Sequence, residues 1–338
     1  MKKWMLGLSV LTSLTGVQAG TKVIYGDDNR VEPINSNALY SLLAESTAAM
    51  ISTYKLEELN SDEVVIKGTT LEQMGVCSSE PFAKQPAAAN CSGFLVGKNL
   101  LVTAGHCMTT QLKCDSFSWV FDYKVDYSDE SEVVVDKSKI YSCKKIISQV
   151  LDMETQNDYA VIELDRDVED REPLKLRTSG KPSVGDEIVV IGHPTGLPTK
   201  IADGASIRSV NDVYFDANLD TYGGNSGSAV FNASTGIVEG ILVRGDQDYV
   251  MNSELGCRIS NVIGNEAGRG EDVTLISAVL PYVKGESLLS ESETVVEEVI
   301  EVETQQEVAV EVEAEVEVVP QLTMVQRFLN RIVNLFLA

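Results

Sequence analysis

Ser226 lies in a glycine-rich loop, GGNSGS at 223–228, which is followed by an apolar run beginning at Ala229. Glycines let the backbone turn tightly and bring N–H groups close to a substrate. Two earlier segments supply the partners that a serine nucleophile needs. His106 lies in the sequence TAGHC, and Asp158 begins the apolar stretch DYAVIEL. Serine, histidine and aspartate are the types of a nucleophile, its base and the group that orients the base, so these residues predict nucleophilic acyl transfer.

The order of the three residues along the chain narrows the class of enzyme. Histidine, then aspartate, then serine is the order of chymotrypsin-type enzymes, whereas subtilisins and α/β-hydrolases use other orders. The lipase pattern G-x-S-x-G also fails, because Ser228 stands where its second glycine belongs.

The chain resembles chymotrypsin-fold, trypsin-like serine proteases and, among them, the bacterial glutamyl-endopeptidase branch. TAGHC matches the family's histidine motif, and Cys91 precedes it at the separation of the family's histidine-loop disulfide. GNSGS at 224–228 matches the bacterial serine motif, in which Asn225 replaces the aspartate of animal trypsins. The segment VIYGDDNR at 23–30 resembles the mature N-terminus of that branch. The resemblance covers roughly residues 23–284.

The resemblance implies a role for each matching residue. Ser226 would attack the scissile carbonyl, and His106 would take its proton and return it to the leaving amine. Asp158 would hold the imidazole tautomer and stabilise its charged form. The backbone N–H groups of Gly224 and Ser226 would form the oxyanion hole.

Two further expectations follow from the same resemblance. It implies a disulfide between Cys91 and Cys107. It also selects Asp158 over Asp152 and Asp165, because only Asp158 begins the family's pattern of aspartate, aromatic residue, alanine and apolar residue.

Substrate preference depends on the residues that would line the primary pocket, which are Asp220, Thr221, Arg244 and Gly245. Asp220, six residues before the nucleophile, would attract an Arg or Lys side chain by charge pairing. Glutamyl endopeptidases instead use a histidine on the strand after the serine, and the strand ILVRG has none. Arg244 could recognise acidic residues or neutralise Asp220, and Asp220 could simply accept hydrogen bonds from loop backbone.

Many short apolar segments between about residues 85 and 283 predict an all-β protein. They are rich in Val, Ile, Phe and Tyr and are separated by Gly, Asp, Asn and Pro, which fits a barrel or a sandwich. Two stretches favour helix, 41–56 in part and 273–283 as a short closing helix. The resemblance specifies two Greek-key six-stranded barrels with the active site between them. We expect the first over about 23–175 and the second over about 176–284.

The first 19 residues are typical of a secretory signal peptide. Lys2 and Lys3 precede an apolar stretch, and Val-Gln-Ala at 17–19 forms a small-residue cleavage site. The protein is therefore expected to be secreted, either to the periplasm or out of the cell. Residues 20–22 would form a short propeptide, as in a zymogen, and a basic preference would let the protease cleave after Lys22 itself.

An exported chain with six cysteines predicts disulfides. Besides the pair implied above, three connectivities are open for the other four cysteines, Cys77, Cys114, Cys143 and Cys257. The chain has no CxxC pair and only two histidines, so we expect neither a metal nor a cofactor. The second histidine, His193, is expected to be structural. The net charge of −24 argues against a nucleic-acid partner and leaves proteins or peptides as substrates.

The sequence after residue 284 differs from the rest. Residues 286–319 contain twelve glutamates and no Lys or Arg, so we expect 285–319 to be an extended acidic linker, although its Val/Glu alternation could also form a strand. Apolar residues in 320–338 recur at helical spacing and predict an amphipathic helix. That helix is too short and too charged for a membrane span. It could dock on protein or on a membrane surface, or serve as a sorting signal.

A secreted serine endopeptidase is the function that this sequence supports best. Two alternatives share the same fold: a catalytically silent binding module, and an esterase that uses the same three residues. Reaction of the serine with an organophosphonate probe separates an enzyme from a silent module.

Overall fold

The computed structural model describes residues 23–126, 132–245 and 247–283, together with the backbone of 288–289. The predicted signal peptide, the propeptide, nearly all of the acidic linker and the C-terminal helix lie outside the described residues. Within the described part of the chain, no helix is both long enough and apolar enough to cross a membrane.

The first barrel is a closed sheet of six antiparallel strands. Its strands are β1 (Thr47–Ser52), β2 (Ala89–Gly97), β3 (Leu100–Thr103), β4 (Phe117–Val120), β5 (Ile140–Leu151) and β6 (Asp158–Leu164). Their order around the barrel is β1-β2-β3-β6-β5-β4, and β4 pairs with β1 to close it. The fourth strand therefore returns beside the first, which is a Greek-key arrangement.

The second barrel repeats this order with a different set of strands. These are β7 (Glu187–Gly192), β8 (Lys200–Val210), β9 (Tyr214–Ala217), β10 (Ala229–Asn232), β11 (Val238–Arg244) and β12 (Glu271–Leu275). Their order is β7-β8-β9-β12-β11-β10, and β10 pairs with both β7 and β11 to close the ring. The predicted all-β fold of two six-stranded barrels is confirmed.

The strands form because their apolar residues are buried inside the barrels. In β6, for example, every side chain except that of Glu163 is buried. The first barrel encloses Phe94 and Trp119, and the second encloses Phe215 and Val230, all of them 0% exposed. Burial of large aromatic and branched side chains is the main favourable term in folding such sheets.

Further short strands and helices lie outside the two six-stranded barrels. The remaining strands are Ile24–Tyr25, Arg30–Val31, Leu56–Glu58, Glu63–Ile66, Thr69–Thr70, Pro86–Ala87, Val133–Asp136, Leu176–Arg177, Tyr249–Asn252, Cys257–Ser260, Val262–Ile263 and Leu288–Leu289. The described helices are α1 (Ala38–Ala44), α2 (Gln111–Ser116) and six single-turn 3-10 helices, Pro33–Asn35, Thr53–Lys55, Lys137–Lys139, Pro194–Gly196, Ile276–Ala278 and Leu280–Tyr282.

The structure differs from the sequence in one of the two helix predictions and agrees with the other, that 41–56 is helical in part. The predicted closing helix at 273–283 is instead the end of β12 followed by two 3-10 turns. Pro281 cannot donate a backbone hydrogen bond to a longer helix there, and the residues before it pair with β9 and β11. In 41–56 the end of α1 and the 3-10 turn Thr53–Lys55 are helical, whereas Thr47–Ser52 are all buried as strand β1.

The N-terminal segment lies against the second barrel. Ile24–Tyr25 pairs in parallel with Val262–Ile263, and Arg30–Val31 pairs with β8. The sequence analysis assigned this segment to the first barrel with the rest of 23–175, whereas the chain lies on the second barrel here and crosses to the first barrel before β1 begins. The domain boundary near residue 175 stays a prediction.

The structure contains three disulfides, which fits the prediction from cysteine number and export. Cys91–Cys107 forms as the resemblance implied. The open pairings are Cys77–Cys257 and Cys114–Cys143. The first of these joins the long connection between β1 and β2 to a hairpin of the second half, across a sequence separation of 180.

Candidate active site

His106 follows strand β3 in a tight turn that only glycine permits. A Cβ at Gly105 would overlap the carbonyl oxygen of Val150 and lie 2.8 Å from that of Tyr159. The turn directs His106 to the edge of the barrel, where its side chain is 34% exposed.

Asp158 binds this histidine twice. Its Oδ2 lies 2.8 Å from His106 Nδ1, and its Oδ1 accepts the backbone N–H of His106 at 3.0 Å. The carboxylate is 1% exposed, and Thr274 of the second barrel donates its hydroxyl to the Asp158 carbonyl at 3.1 Å. These bonds fix the plane and the tautomer of the imidazole ring, because Nδ1 must carry a proton to donate to the carboxylate.

The competing aspartates bind elsewhere. Asp152 accepts the backbone N–H groups of Glu154 and Thr155, while Asp165 accepts that of Ser142 and pairs with Arg166. Their carboxylates are therefore engaged in surface turns.

The loop that carries Ser226 is bonded directly to the first barrel. Ser92 donates its backbone N–H to the Ser226 carbonyl at 2.8 Å and its hydroxyl to the Gly224 carbonyl at 2.8 Å. The Cys91–Cys107 disulfide lies beneath this contact, with a Cys107 Sγ to Ser226 O distance of 3.8 Å. A ring nitrogen of His106 lies within 4.8 Å of the disulfide sulfurs. The structure thus brings the serine loop, the histidine turn and Asp158 together at the junction of the barrels.

The predicted oxyanion donors have the backbone geometry that the role needs. Gly224 has a φ of +97°, and a Cβ there would lie 2.5 Å from the carbonyl oxygen of His193. Only glycine fits this conformation and this close approach. In the described part of the chain, the N–H groups of Gly224 and Ser226 donate to no protein acceptor.

His193 supports this loop from behind. Its backbone N–H donates to the Ser92 hydroxyl at 3.0 Å, and its Nδ1 lies 3.1 Å from the carbonyl oxygen of Leu197. The residue is fully buried, and burial lowers the pKa of His193 to about 3. A neutral, enclosed imidazole agrees with the structural role expected for it.

Asp220 does not present its charge to a pocket. Its two carboxylate oxygens accept the backbone N–H groups of Tyr25 at 2.7 Å and Asn29 at 3.0 Å, and the residue is 3% exposed. Burial raises the pKa of Asp220 to about 6, although the two amide bonds oppose that rise. Counting back from Ser226 locates the residue but not the direction of its side chain, and a role of Asp220 in the primary pocket stays a prediction. The alternative of hydrogen bonding to loop backbone holds.

Arg244 contacts partners other than Asp220, and the two roles predicted for it stay predictions. Its Nε lies 3.1 Å from Asp272, its Nη2 donates to the Gln156 carbonyl at 2.9 Å, and its Nη1 lies 3.8 Å from Asp158 Oδ2. The side chain spans from the second barrel to the start of β6.

Glu271, the first residue of β12, contacts both remaining pocket candidates and was missed in the sequence. Thr221 donates its hydroxyl to Glu271 Oε2 at 2.5 Å, and a Cβ at Gly245 would overlap the Glu271 carboxylate. The residue is 0% exposed. No motif marks it, because its position depends on the pairing of β12 in the barrel. The expected helix at 273–283 also hid the strand that carries it.

Comparison with known proteins identifies the class. Residues 91–241 match the model of the trypsin-like peptidase domain, a range that includes His106, Asp158 and Ser226. That part of the chain is similar to trypsin-like peptidase domains. The predicted recognition as a trypsin-like serine protease and the enzyme class, a serine endopeptidase, are confirmed.

Solved protease structures also resemble this peptidase. A Glu endopeptidase in complex with MPD matches with a TM-score of 0.43 and 16% identity, covering 77% of this chain and 96% of that chain. The Vibrio cholerae VesB protease matches with a TM-score of 0.45 and 14% identity, covering 78% of this chain and 67% of that chain. No curated protein sequence matches the chain.

Proposed function

We propose that the peptidase cleaves peptide bonds through an acyl-enzyme on Ser226, with His106 as general base and Asp158 as the group that orients it. The observation that carries this proposal is the pair of hydrogen bonds that the Asp158 carboxylate accepts, one from the imidazole ring and one from the backbone N–H of His106. A neutral ring held with its proton on Nδ1 leaves Nε2 free to accept the serine proton. The same ring then returns that proton to the leaving amine.

The N–H groups of Gly224 and Ser226 would stabilise the oxyanion of the tetrahedral intermediate. Their orientation is fixed by the left-handed Gly224 and by the bonds of Ser92 to the loop. Donors that are already oriented need no reorganisation during the reaction, and losing one such donor typically costs about 3 kcal/mol of barrier.

Labelling of the serine tests the proposal. An organophosphonate probe is expected to form one adduct, on Ser226, in folded wild-type protein and none in Ser226→Ala. Peptide mapping by mass spectrometry locates the adduct. Folded wild-type protein without an adduct would favour the silent binding module. Turnover of esters without turnover of peptides would favour the esterase.

We further propose a preference for Arg or Lys before the scissile bond, with Glu271 as the recognising carboxylate in place of Asp220. Glu271 adjoins Thr221 and Gly245, two of the residues predicted to line the pocket. A Cβ at 245 would overlap the Glu271 carboxylate, so only glycine there leaves room for it, and a basic substrate side chain would have to join the Thr221 hydroxyl as a partner of this buried group. A buried carboxylate attracts a cation more strongly than an exposed one, because the local dielectric is low.

Recognition of acidic side chains has less support. It would require a cation that is available to a substrate carboxylate. Arg244 already faces Asp272 and Asp158, and Arg269 lies 2.6 Å from the same Asp272 carboxylate. Digestion of a peptide library, with cleavage sites determined by mass spectrometry, measures the preference directly.

We also infer that the protein works in an oxidising compartment, periplasmic or extracellular, where its three disulfides would persist. The residues before Val23 would be removed, and a basic preference would allow self-cleavage after Lys22. Ser226→Ala protein is then expected to accumulate with Gly20 as its first residue. Val23 at the terminus of that variant would contradict self-processing.

A further inference from the structure

We propose that Arg244 is a positioning residue. It holds the Asp158 carboxylate in place against His106 and adds a positive charge beside that pair. This inference rests on the triad assigned under the proposed function. It assigns to Arg244 a role in the reaction that differs from substrate recognition.

Arg244 bridges the two barrels at the catalytic aspartate. It is the last residue of β11, and a β-bulge between Leu242 and Arg244 interrupts the pairing with β12 at this point. Bulges redirect the side chains that follow them. The guanidinium reaches the first barrel, where Nη1 lies 3.8 Å from Asp158 Oδ2, and only 16% of the side chain is exposed.

The same guanidinium stabilises an unfavourable backbone turn just before β6. Gln156 has a φ of +66°, in the left-handed region that favours glycine, and its carbonyl accepts Arg244 Nη2 at 2.9 Å. Two residues later the chain reaches Asp158. A bond to Gln156 therefore fixes the entry of the strand that carries the catalytic carboxylate.

Alternating charges anchor Arg244 in place. Asp272, 6% exposed, lies 3.1 Å from Arg244 Nε and 2.6 Å from Arg269 Nη2. Arg269 is 47% exposed and also donates to the Gly245 carbonyl at 3.2 Å. The order Asp158, Arg244, Asp272, Arg269 thus runs from the catalytic carboxylate to the surface.

Arg244 places a positive charge beside the carboxylate that His106 contacts. A cation within about 4–6 Å stabilises a carboxylate and disfavours a second cation nearby. The imidazole bonded to Asp158 Oδ2 becomes that second cation when it takes the serine proton. Among the described residues, the other cation in contact with His106 is Lys113 of α2, whose ammonium donates to the His106 carbonyl at 3.1 Å. Lys113 is retained in every variant below.

Histidine titration by NMR tests this effect without relying on turnover. The chain has only two histidines, so the spectrum of protein labelled with ¹⁵N-histidine has two imidazoles to assign, of which His193 is buried. In Arg244→Gln the His106 titration midpoint is expected to move up by about one pH unit. Arg244→Lys keeps the charge and is expected to restore most of the midpoint. Asp272→Asn, which removes the anion facing Arg244, is expected to move it down.

Arg269→Gln is the matched control, because it removes the outer arginine of the same network. Its midpoint is expected within about 0.2 pH units of wild type, since solvent screens exposed charges. In peptide hydrolysis, Arg244→Gln should lower kcat with little change in KM. The acid limb of its profile of kcat against pH should move to higher pH. A midpoint in Arg244→Gln equal to that of wild type, or an equal shift in Arg269→Gln, would overturn the proposal. If Arg244→Gln does not fold, the downward shift in Asp272→Asn decides it.

A negative phosphonate result on wild type would refute the serine peptidase proposal while leaving this titration readable. A normal phosphonate result with unshifted midpoints would refute only the role of Arg244. The two proposals therefore fail separately.

Discussion

Asp158 and Asp220 are both buried carboxylates beside the serine loop, yet their surroundings are opposite in kind. Asp158 is 1% exposed and faces an imidazole, and Asp220 is 3% exposed and faces two backbone amides. Amides of Tyr25 and Asn29 cannot gain or lose a proton near neutral pH, whereas the imidazole of His106 can. The comparison teaches that burial and charge do not by themselves identify a functional acid here. The partner decides whether the carboxylate acts in chemistry or in anchoring a segment.

Replacing Asp158 should break this comparison most severely. In Asp158→Asn the amide presents a donor to Nδ1, which favours the wrong imidazole tautomer, and kcat is expected to fall about 10⁴-fold. Steady-state hydrolysis of a peptide substrate measures it. Asp220→Asn is the matched control, with kcat expected within about tenfold of wild type because Asp220 does not contact the histidine. Equal losses in the two variants would contradict the distinction.

A second pair of variants separates Asp220 from Glu271 in substrate choice. Glu271→Gln keeps the shape and a hydrogen-bond acceptor for Thr221 but removes the charge. The ratio of kcat/KM for Arg or Lys over leucine before the scissile bond is expected to fall about 10²-fold, as for loss of one partner of a buried pair.

Asp220→Asn should leave that ratio unchanged, because the Asp220 carboxylate bonds the N-terminal segment. A peptide pair that differs only in the residue before the scissile bond gives the measurement. A loss of basic preference in Asp220→Asn but not in Glu271→Gln would restore the role first expected from the sequence.

The proposed triad could be located in the sequence because each member lies in a short motif with its own backbone constraint. The backbone positions of Gly105 and Gly224 have no room for a side chain and therefore require glycine. Both glycines can be read in the sequence beside His106 and Ser226. The order of motifs along the chain then fixed the class. The two barrels followed from that class and from the many short apolar strands.

The pocket could not be predicted in the same way, because it depends on strand pairing between distant segments. Arg244 lies opposite Asp272 through the register of β11 and β12, which shifts between Leu242 and Arg244. Glu271 reaches Thr221 for the same reason. Sequence distance from Ser226 gave the position of Asp220 along its loop, but the docking of residues 23–31 on the second barrel determines what its carboxylate binds.

Asp220 and His193 are both buried, and each should make the free energy of unfolding depend on pH. The two dependences have opposite signs. Burial lowers the pKa of His193 from 6.5 to about 3, so its contribution to stability is present above about pH 6.5 and is lost as pH falls toward 3. Replacing His193 with glutamine is expected to flatten that acid-side loss. Urea unfolding with the disulfides intact, at pH 4 to 7, measures the free energy of unfolding. An unchanged acid-side slope would mean that the buried histidine is not the cause.

Asp220 acts in the other direction and more weakly. Burial raises its pKa from 3.8 to about 6, so the folded state binds a proton more tightly than the unfolded state between these values. Its contribution to stability is therefore full below about pH 3.8 and is lost as pH rises through 6. The free energy of unfolding of wild type relative to Asp220→Asn is expected to fall by about 2 kcal/mol between pH 4 and pH 7. If the difference in free energy of unfolding between wild type and Asp220→Asn stays constant over this range, the amides of Tyr25 and Asn29 compensate fully for the burial of the charge.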